Sequence, residues 1–408
     1  MKTNKKLYSV ALGATSLILF LILVSFMVLS ATARNASPII NETQITTNAS
    51  DQYYPNIYED KVVWLGFWNE KWAIYLYNLS TSTKTPIPIN GTSPYVPVIY
   101  GDRIVWGDSI LINANTTGYS LPVIYMYDLS TSKETQITTT NEAAMSPAIY
   151  GDKIVWMGSR NAGGGNYLDP ALDWDIYMYN LSTFKETPIT TNKSLQMRPA
   201  IYGDRIIWMD NRNGGSKDWL FPSGNWDIYM YNLSTSTETQ KTTNESLQMY
   251  PAIFGDNIVW IDSRNGNGEI YVYNLTTSNG ISISNVSWKY DHPSIYGNRI
   301  VWTDFRNGKW EIFMHDLSTS RETQITTNSS SSQKPSNPAI YENKIVWQPN
   351  FSNEPNGNAD IYMYTVPGAD TESNPDKQSE SEKNKSIPGF KISYVIIGLL
   401  GVFIYMKR

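Results

Sequence analysis

Short segments that alternate between apolar and polar residues recur along most of the chain, separated by Gly, Asn, Asp, Ser and Thr. The segment DIYMYNLS at 227–234 alternates strictly, which is typical of a strand with one buried face. Near-copies begin at residues 74, 124, 175, 270, 312 and 361. Because the phrase returns seven times, the chain is interpreted as an array of repeats, and the repeat unit decides the fold.

Each repeat contains four predicted strands. In the copy at 199–243, PAIY (199–202) and RIIW (205–208) flank a Gly-Asp turn, DIYMYNLS follows a loop, and ETQKTT (238–243) comes last. Glycine at the first position of a two-residue turn favours a type II′ hairpin. Proline is tolerated at the first residue of a strand. Each repeat is therefore predicted to be a four-stranded antiparallel sheet.

The positions of the fourth strand predict how the array closes. The fourth-strand phrase stands before the first repeat, at 42–47, and is missing after the seventh repeat, which ends at Tyr364. Radial repetition of four-stranded sheets gives a β-propeller. An N-terminal strand that completes the last blade hides an edge that would otherwise recruit other chains. We predict an all-β, seven-bladed β-propeller over residues 38–366, with eight blades or an open array as the alternative.

The two ends of the chain differ in composition from the repeats. Three lysines in the first six residues precede an apolar stretch, so residues 1–33 are interpreted as a signal peptide. The stretch is also long enough for an uncleaved anchor. Residues 367–387 are polar and are predicted to be a disordered stalk. Residues 388–408 contain a Pro-Gly-Phe motif, a short apolar run and a basic end, the pattern of a processed sorting signal.

Pro388, Gly389 and Phe390, followed by this tail, resemble the archaeal PGF-type C-terminal sorting signal. The resemblance implies that the tail is removed and a lipid is attached near the motif. A simple short transmembrane anchor is the alternative. Both interpretations place the repeats on the extracellular face of the cell membrane, anchored at the C terminus.

The repeat P-x-[IV]-[YF]-G-[DN]-x-[IV]-[IV]-W, followed by R-N-G and T-Q-I-T, resembles the TolB-like (PD40, WD40-like) β-propeller repeat over residues 42–364. Departures are local: Glu59-Asp60 and Glu342-Asn343 replace the glycine turn. With the segments at its two ends, the chain is similar to the multi-repeat surface propellers of methanogenic archaea. That resemblance implies a binding or structural role in the cell envelope and no defined reaction.

The amino-acid composition excludes several classes of cofactor and partner. The chain has no cysteine, which excludes disulfides and thiolate metal sites, and its two histidines are too few for a histidine-rich metal site. The net charge of -5 gives no basic surface for nucleic acid. We therefore expect no metal and no cofactor, since a structural calcium ion has no motif to support it. We also expect a monomer whose partner is an envelope protein or polysaccharide.

No catalytic constellation stands out. His292 is expected to be a solvated turn residue, and His315 to pack where other repeats have tyrosine. Three Asp-x-Arg pairs recur after the second strand, and their repetition favours structural ion pairs over acid–base chemistry; they are Asp210/Arg212, Asp262/Arg264 and Asp304/Arg306. We predict that the chain is not an enzyme. The alternatives are an extracellular hydrolase or lyase acting on glycans or peptides, and a subunit of an envelope export complex by analogy with TolB.

Loop length predicts a binding face. From the repeat tryptophan to the first isoleucine of the third strand is 10 residues in repeats one, five and six, but 18, 20 and 20 in repeats two to four. Insertions on one face of a repeat array often mark its binding face. The aromatic candidates are Tyr167, Trp174, Trp219, Phe221 and Trp226. Alternatively, Trp174 and Trp226 pack inside the fold.

Asn-x-Ser/Thr sequons lie in the repeated NLS and NLT phrases. In an exported chain they are predicted glycosylation sites, namely Asn78, Asn180, Asn232 and Asn274. Asparagine and serine are also ordinary turn residues, which explains part of the recurrence.

Overall fold

The computed structural model describes residues 42–47, 50–68, 71–91, 93–112, 119–138, 142–159, 173–218, 222–266, 268–286, 292–327, 333–351 and 359–367. Contacts divide the chain into one compact unit of Thr43–Arg408 and another of Met1–Glu42. The predicted signal peptide, most of the predicted stalk and the predicted sorting signal lie outside the described residues. Within the described ranges, no helix combines the length and the apolar character needed to cross a bilayer.

The described residues form 28 strands in seven four-stranded sheets. Blade 1 contains β2 (Gln52–Tyr58), β3 (Lys61–Trp68), β4 (Lys71–Asn78) and β5 (Thr83–Pro86); blade 2 contains β6 (Tyr95–Tyr100), β7 (Arg103–Ile112), β8 (Tyr119–Asp128) and β9 (Lys133–Gln136); blade 3 contains β10 (Ala143–Tyr150), β11 (Lys153–Ser159), β12 (Asp175–Asn180) and β13 (Lys185–Pro188); blade 4 contains β14 (Gln196–Tyr202), β15 (Arg205–Asp210), β16 (Asp227–Asn232) and β17 (Thr237–Gln240). Blade 5 contains β18 (Gln248–Phe254), β19 (Asn257–Asp262), β20 (Gly268–Asn274) and β21 (Asn279–Val286); blade 6 contains β22 (Ser294–Tyr296), β23 (Arg299–Arg306), β24 (Lys309–Asp316) and β25 (Arg321–Gln324); blade 7 contains β26 (Gln333–Tyr341), β27 (Lys344–Phe351), β28 (Tyr362–Thr365) and β1 (Glu42–Gln44).

The strand order confirms the predicted propeller. Each sheet runs in chain order, except that β1 occupies the outer edge of the last blade, beside β28. The first strands of neighbouring blades contact one another around the whole cycle, including β2 with β26. These first strands therefore line the centre, and the fourth strands form the outside.

The second strand of each blade is buried on both faces because the neighbouring blades cover them. In blade 4, Ile206, Ile207 and Trp208 are fully buried. A strand covered on both sides reads as a continuous apolar run rather than an alternating one. Trp208 pairs in register with Tyr229, and their ring centroids lie 6.2 Å apart. The IVW-like phrase is therefore the core of every blade.

The two-residue turn between the first and second strands matches the prediction. Tyr202 pairs with Arg205, and Gly203 has a φ of 60°. Only the first turn residue has a positive φ, as a type II′ turn requires. In blades 1 and 7, Glu59 and Glu342 adopt the same conformation at 54° and 52°. A left-handed backbone costs an L-residue about 1–2 kcal/mol, and the fold imposes it at both turns.

The fourth strands of six blades end earlier than the repeated phrase predicts, whereas that of blade 5, Asn279–Val286, does not. In blade 4 the strand ends at Gln240, although the prediction extended it to residue 243. The backbone N–H of Lys241 donates to the carbonyl of Ile228 at 2.7 Å. The backbone N–H of Ile228 does not bond to a backbone carbonyl of the fourth strand. It donates to the Thr242 hydroxyl at 2.9 Å. A buried side-chain oxygen thus replaces a backbone carbonyl, and the ladder stops. The same bond recurs at Thr46, Thr138, Thr190 and Thr326.

The long connection predicted in repeat two is largely strand. The second and third strands of blade 2 extend to Ile112 and begin at Tyr119, and these two residues pair. Residues 113–118, which join them, lie outside the described residues. The insertion in this blade is therefore a longer hairpin rather than an open loop.

The last blade closes through the same threonine bond as the others. The N–H of Ile45 donates to the carbonyl of Ile361 at 2.8 Å, and the N–H of Ile361 donates to the Thr46 hydroxyl at 2.8 Å. Thr46 in turn donates to Asp360, and Gln44 donates to the other oxygen of that carboxylate at 2.7 Å. These bonds join residues more than 300 positions apart in the chain.

Replacement of Thr46 by valine tests this closure, because valine keeps the shape and removes the hydroxyl. The buried N–H of Ile361 then lacks its acceptor, so we expect the free energy of unfolding to fall by about 1–3 kcal/mol in urea denaturation. Thr239→Val is the control, since Thr239 is exposed on the outer strand of blade 4. We expect it to change stability by less than about 0.5 kcal/mol. Equal stability of the two variants would contradict the role of Thr46.

Candidate functional site

The central channel has two different ends. Each first strand begins at the face that carries the connections between second and third strands, and it ends at the two-residue turns. We call these the long-loop face and the short-turn face. Residues early in a first strand therefore lie near the long-loop face, and residues late in it lie near the short-turn face.

A closed ring of seven aromatic side chains surrounds the channel at the short-turn end. Neighbouring ring centroids lie 4.5–5.0 Å apart all the way round. Seven neighbours at that spacing enclose a circle of about 5 Å radius, and the rings occupy much of it because carbon atoms touch at about 3.5–4 Å. The channel is therefore narrow here. The members are Tyr58, Tyr100, Tyr150, Tyr202, Phe254, Tyr296 and Tyr341.

A second set of side chains lies closer to the long-loop face. Each belongs to the residue that precedes the first-strand proline of its blade, and we call this set the pre-proline tier. In blade 4, Arg198 and Pro199 together oppose the single residue Trp208, which makes a β-bulge. Arg198 has a φ of 55°, and the residue before the proline has a φ between 45° and 57° in five other blades: Tyr54, Val96, Ser146, Tyr250 and Asn337. His292 holds the position in blade 6. A bulge re-aims the side chain of its extra residue, so each blade presents one variable residue here.

Side chains of the pre-proline tier touch across blades. The Arg198 guanidinium lies 5.4 Å from the centre of the Tyr250 ring, and Tyr250 packs edge-on against His292 with centroids 4.2 Å apart. Blades 4, 5 and 6 are thereby linked by one continuous row of side chains.

The prediction that His292 is solvated is wrong. Its Nε2 atom is buried and has no hydrogen-bond partner among the described residues. Burial, together with the positive charges of Arg198 and Lys334, lowers the pKa of His292 to about 3. The imidazole is therefore neutral at neutral pH. His315 is buried opposite Ile300, so it packs as expected.

The three predicted Asp–Arg ion pairs form, with closest N–O distances of 2.6 Å for Asp210/Arg212, Asp262/Arg264 and Asp304/Arg306. In blade 4, Asp210 also accepts from the indole N–H of Trp208 at 3.2 Å, and the Arg212 guanidinium stacks on the Tyr229 ring at 4.0 Å. Burial tends to raise the pKa of Asp262, but hydrogen bonds from Arg264 and Trp260 outweigh it and lower that pKa. These hydrogen-bonded ion pairs stabilise the blades, and the lowered pKa makes Asp262 a poor general acid.

The aromatic binding candidates have different outcomes. Trp174 and Trp226 are 1% and 0% exposed, so they pack inside the fold and offer no surface to a ligand. Each backbone carbonyl accepts from the glutamine at the start of the next blade, at 2.8 and 2.9 Å. The other three candidates, Tyr167, Trp219 and Phe221, lie outside the described residues and stay predictions.

The sequon asparagines cap turns. The Asn180 side-chain oxygen accepts from the backbone N–H groups of Ser182 and Thr183, both at 2.9 Å. Asn232 and Asn274 accept the same two bonds in their own blades, and Asn78 accepts from the backbone N–H of Thr81. The turn chemistry therefore accounts for the recurrence of asparagine, and glycosylation of these residues stays a prediction.

No three histidine or acidic side chains in the described ranges converge to hold a metal ion. A structural calcium ion, for which the sequence has no motif, therefore finds no such group of ligands within these ranges.

An exposed aromatic cluster that the sequence analysis missed lies on the long-loop face of blade 1. Phe67 and Trp72 face each other across the hairpin with centroids 5.0 Å apart, and Tyr53 lies 5.8 Å from Trp72. Tyr54, at 6.4 Å from Tyr53, is 40% exposed, and Phe67 is 37% exposed. Phe305 and Trp310 form the equivalent pair in blade 6 at 5.2 Å. These hairpins have short connections, so loop length gave no signal for them.

Neither a family model nor a curated protein matches the chain. Solved structures do resemble it. A manganese-bound oligogalacturonate lyase shares 14% identity, covering 82% of this chain and 95% of that one, with a TM-score of 0.59. An oligogalacturonate lyase from Vibrio parahaemolyticus shares 12% identity over the same fractions, with a TM-score of 0.59.

The β-propeller domain of the Trilobed protease from Pyrococcus furiosus shares 13% identity, covering 77% of this chain and 95% of that one, with a TM-score of 0.56. That domain is described as an open velcro topology, whereas β1 closes the last blade here. These likenesses agree with the propeller fold that the repeat predicts. At these identities the likeness shows the fold, and a propeller serves both enzymes and other proteins.

His292, whose Nε2 atom is buried, makes stability depend on pH. Because the pKa of His292 is about 3 in the folded protein and about 6.5 in an unfolded chain, the unfolded state binds the extra proton between these values. Stability is full above about pH 6.5 and falls as the pH drops, by up to about 1.4 kcal/mol per unit. We expect His292→Phe to flatten this part of the curve in urea denaturation between pH 6.5 and 4.5. Parallel curves for the variant and the wild type would contradict the assignment.

Proposed function

We propose that the chain is an exported, membrane-anchored cell-surface propeller that binds envelope polysaccharide through its long-loop face. The observation that carries this proposal is the exposed aromatic cluster of blade 1, formed by Tyr53, Tyr54, Phe67 and Trp72. Large apolar side chains grouped at a surface are typical of an interaction site.

The chemistry of the cluster suits sugars. A sugar ring has a face of C–H groups that packs on an aromatic ring, and hydroxyls at its edge that need polar partners. The tilted rings of Phe67 and Trp72, at 53°, offer faces in two directions. The equivalent pair, Phe305 and Trp310, lies two blades away, beyond blade 7. Two such platforms on one face favour an extended polymer over a single small sugar.

The ends of the sequence support a surface location. The predicted signal peptide at 1–33 sends the chain across the membrane, and the predicted stalk and sorting signal at 367–408 hold it there by the C terminus. An anchored propeller with an aromatic face fits a binding module of the envelope better than a secreted enzyme.

Replacement of Phe67 and Trp72 by alanine tests the proposal. Removal of two central aromatic contacts should weaken binding of the full chain to envelope polysaccharide at least tenfold, because such residues dominate an interface. Binding is measured by affinity electrophoresis and by calorimetry with the polysaccharide and, separately, with envelope protein.

Phe184→Ala is the matched control. Phe184 is 78% exposed and lies in the turn between the third and fourth strands of blade 3, on the short-turn face. Its loss should leave binding unchanged. Binding that survives in the Phe67/Trp72 variant but is lost in a Trp219→Ala, Phe221→Ala variant would move the site to the insertion of blade 4. Binding to envelope protein alone would overturn the polysaccharide assignment.

A further inference from the structure

The chain enters and leaves the propeller at the short-turn face. The last strand, β28, runs toward this face, and the backbone N–H of Val366 donates to the carbonyl of Asn343 at 2.8 Å, in the two-residue turn of blade 7. The first strand, β1, is an outer strand, and outer strands begin at this same face. A membrane segment that precedes or follows the propeller would therefore tether its short-turn face.

The predicted stalk limits how far this face lies from a membrane. Residues 367–387 separate the last blade from the predicted sorting signal. A flexible chain of about 20 residues spans about 25 Å on average. Such a tether gives the face a high effective concentration near the lipid, so a contact that is weak by itself is enough to dock it.

One turn on this face carries a bulky side chain in a backbone conformation that does not suit it. The turns between the third and fourth strands of blades 1–6 each contain one residue with a φ between 52° and 56°. A bulky residue rarely adopts this left-handed conformation, and such strain points to a role for the side chain. The residue is Phe184 in blade 3 and serine in the other five: Ser82, Ser132, Ser236, Ser278 and Ser320.

Phe184 is the most exposed of the large apolar side chains in the described ranges, at 78%. Its turn has a fixed shape, because Asn180 accepts from the backbone N–H groups of Ser182 and Thr183, both at 2.9 Å. Lys185 follows directly and is also exposed. An aromatic ring beside a basic side chain suits a membrane surface, where the ring enters the interface and the ammonium attracts anionic headgroups.

We propose that the short-turn face docks on the lipid surface, with Phe184 inserted at the interface and Lys185 against anionic headgroups. This inference rests on the membrane anchoring in the proposed function, and it adds an orientation. The long-loop face, with its exposed aromatic cluster, then points away from the membrane toward the polysaccharide. Docking also requires an unmodified Asn180, because a glycan four residues from Phe184 would hold the ring off the lipid.

Spin labelling of the full chain in vesicles of phosphatidylcholine and phosphatidylglycerol tests the proposal. The chain has no cysteine, so a nitroxide attaches only where a cysteine is introduced. One label is placed at Thr183→Cys, and another at Leu111→Cys, which is 64% exposed near the long-loop end of the blade 2 hairpin. The measured quantity is the accessibility of each label to oxygen, which concentrates in lipid, relative to a water-soluble nickel complex.

We expect incorporation into vesicles to raise this ratio at Thr183 and to leave it unchanged at Leu111. Phe184→Ser should abolish the rise, because the ring no longer holds the turn at the interface. The variant carries the residue that five other blades have at this position, so the fold should survive, and thermal unfolding checks this. Leu111→Ser is the matched control. It removes an exposed apolar side chain far from the short-turn face, and the rise at Thr183 should persist.

Flotation of the vesicles measures anchoring separately from docking. Failure of the wild-type chain to float would overturn the anchoring, and the docking with it. Flotation without a rise at Thr183 would overturn the docking alone. A rise that survives Phe184→Ser, a rise at Leu111, or a glycan on Asn180 of the native protein would also overturn the docking. A rise that appears only in vesicles containing envelope proteins would assign the face to a protein partner instead.

Discussion

The ring depends on the hydrogen bonds between β1 and β28. Every blade has two apolar faces, and each face is covered only by a neighbouring blade, so an open array would expose a face at both ends. The bonds of Ile45, Thr46 and Gln44 to Ile361 and Asp360 join the two ends of the array in one sheet. They also pair the outer side of β28, which would otherwise be a free edge. A few local hydrogen bonds thereby keep the apolar faces of the blades buried.

The repeat made the fold predictable. Seven copies of one alternating phrase, with a two-residue turn before each tryptophan phrase, specify the sheets, their order and the strand that closes them. The length of the fourth strand was not predictable, because a threonine side chain imitates a backbone acceptor and ends the ladder early. In the pattern TQIT, the strand residues and the threonine that ends the strand are all β-branched or polar. The alternation of apolar and polar residues therefore does not show where the strand ends. The long hairpin of blade 2 escaped prediction for a related reason, since its added residues were read as an insertion.

The candidate sites depend on contacts between repeats, and a repeat analysed by itself does not reveal them. The aromatic residue before each turn is visible in the consensus, but its ring closes only when seven blades meet. The pre-proline position varies from blade to blade, and Arg198, Tyr250 and His292 form a row only because three blades meet, with β-bulges at this position in blades 4 and 5. Trp174 and Trp226 looked like ligand-binding residues because they flank insertions, yet both are buried.

The closing strand also determines how the protein responds to force. A pull on the chain at residue 367 reaches β28 first, and β28 lies between β27 and β1 rather than at an edge. The load then runs along the strand and across hydrogen bonds on both sides, so the bonds must break together instead of peeling one after another. Rupture under load follows the unfolding rate rather than the equilibrium stability. A tether at this end would therefore load an inner strand in shear instead of peeling an edge strand from its sheet.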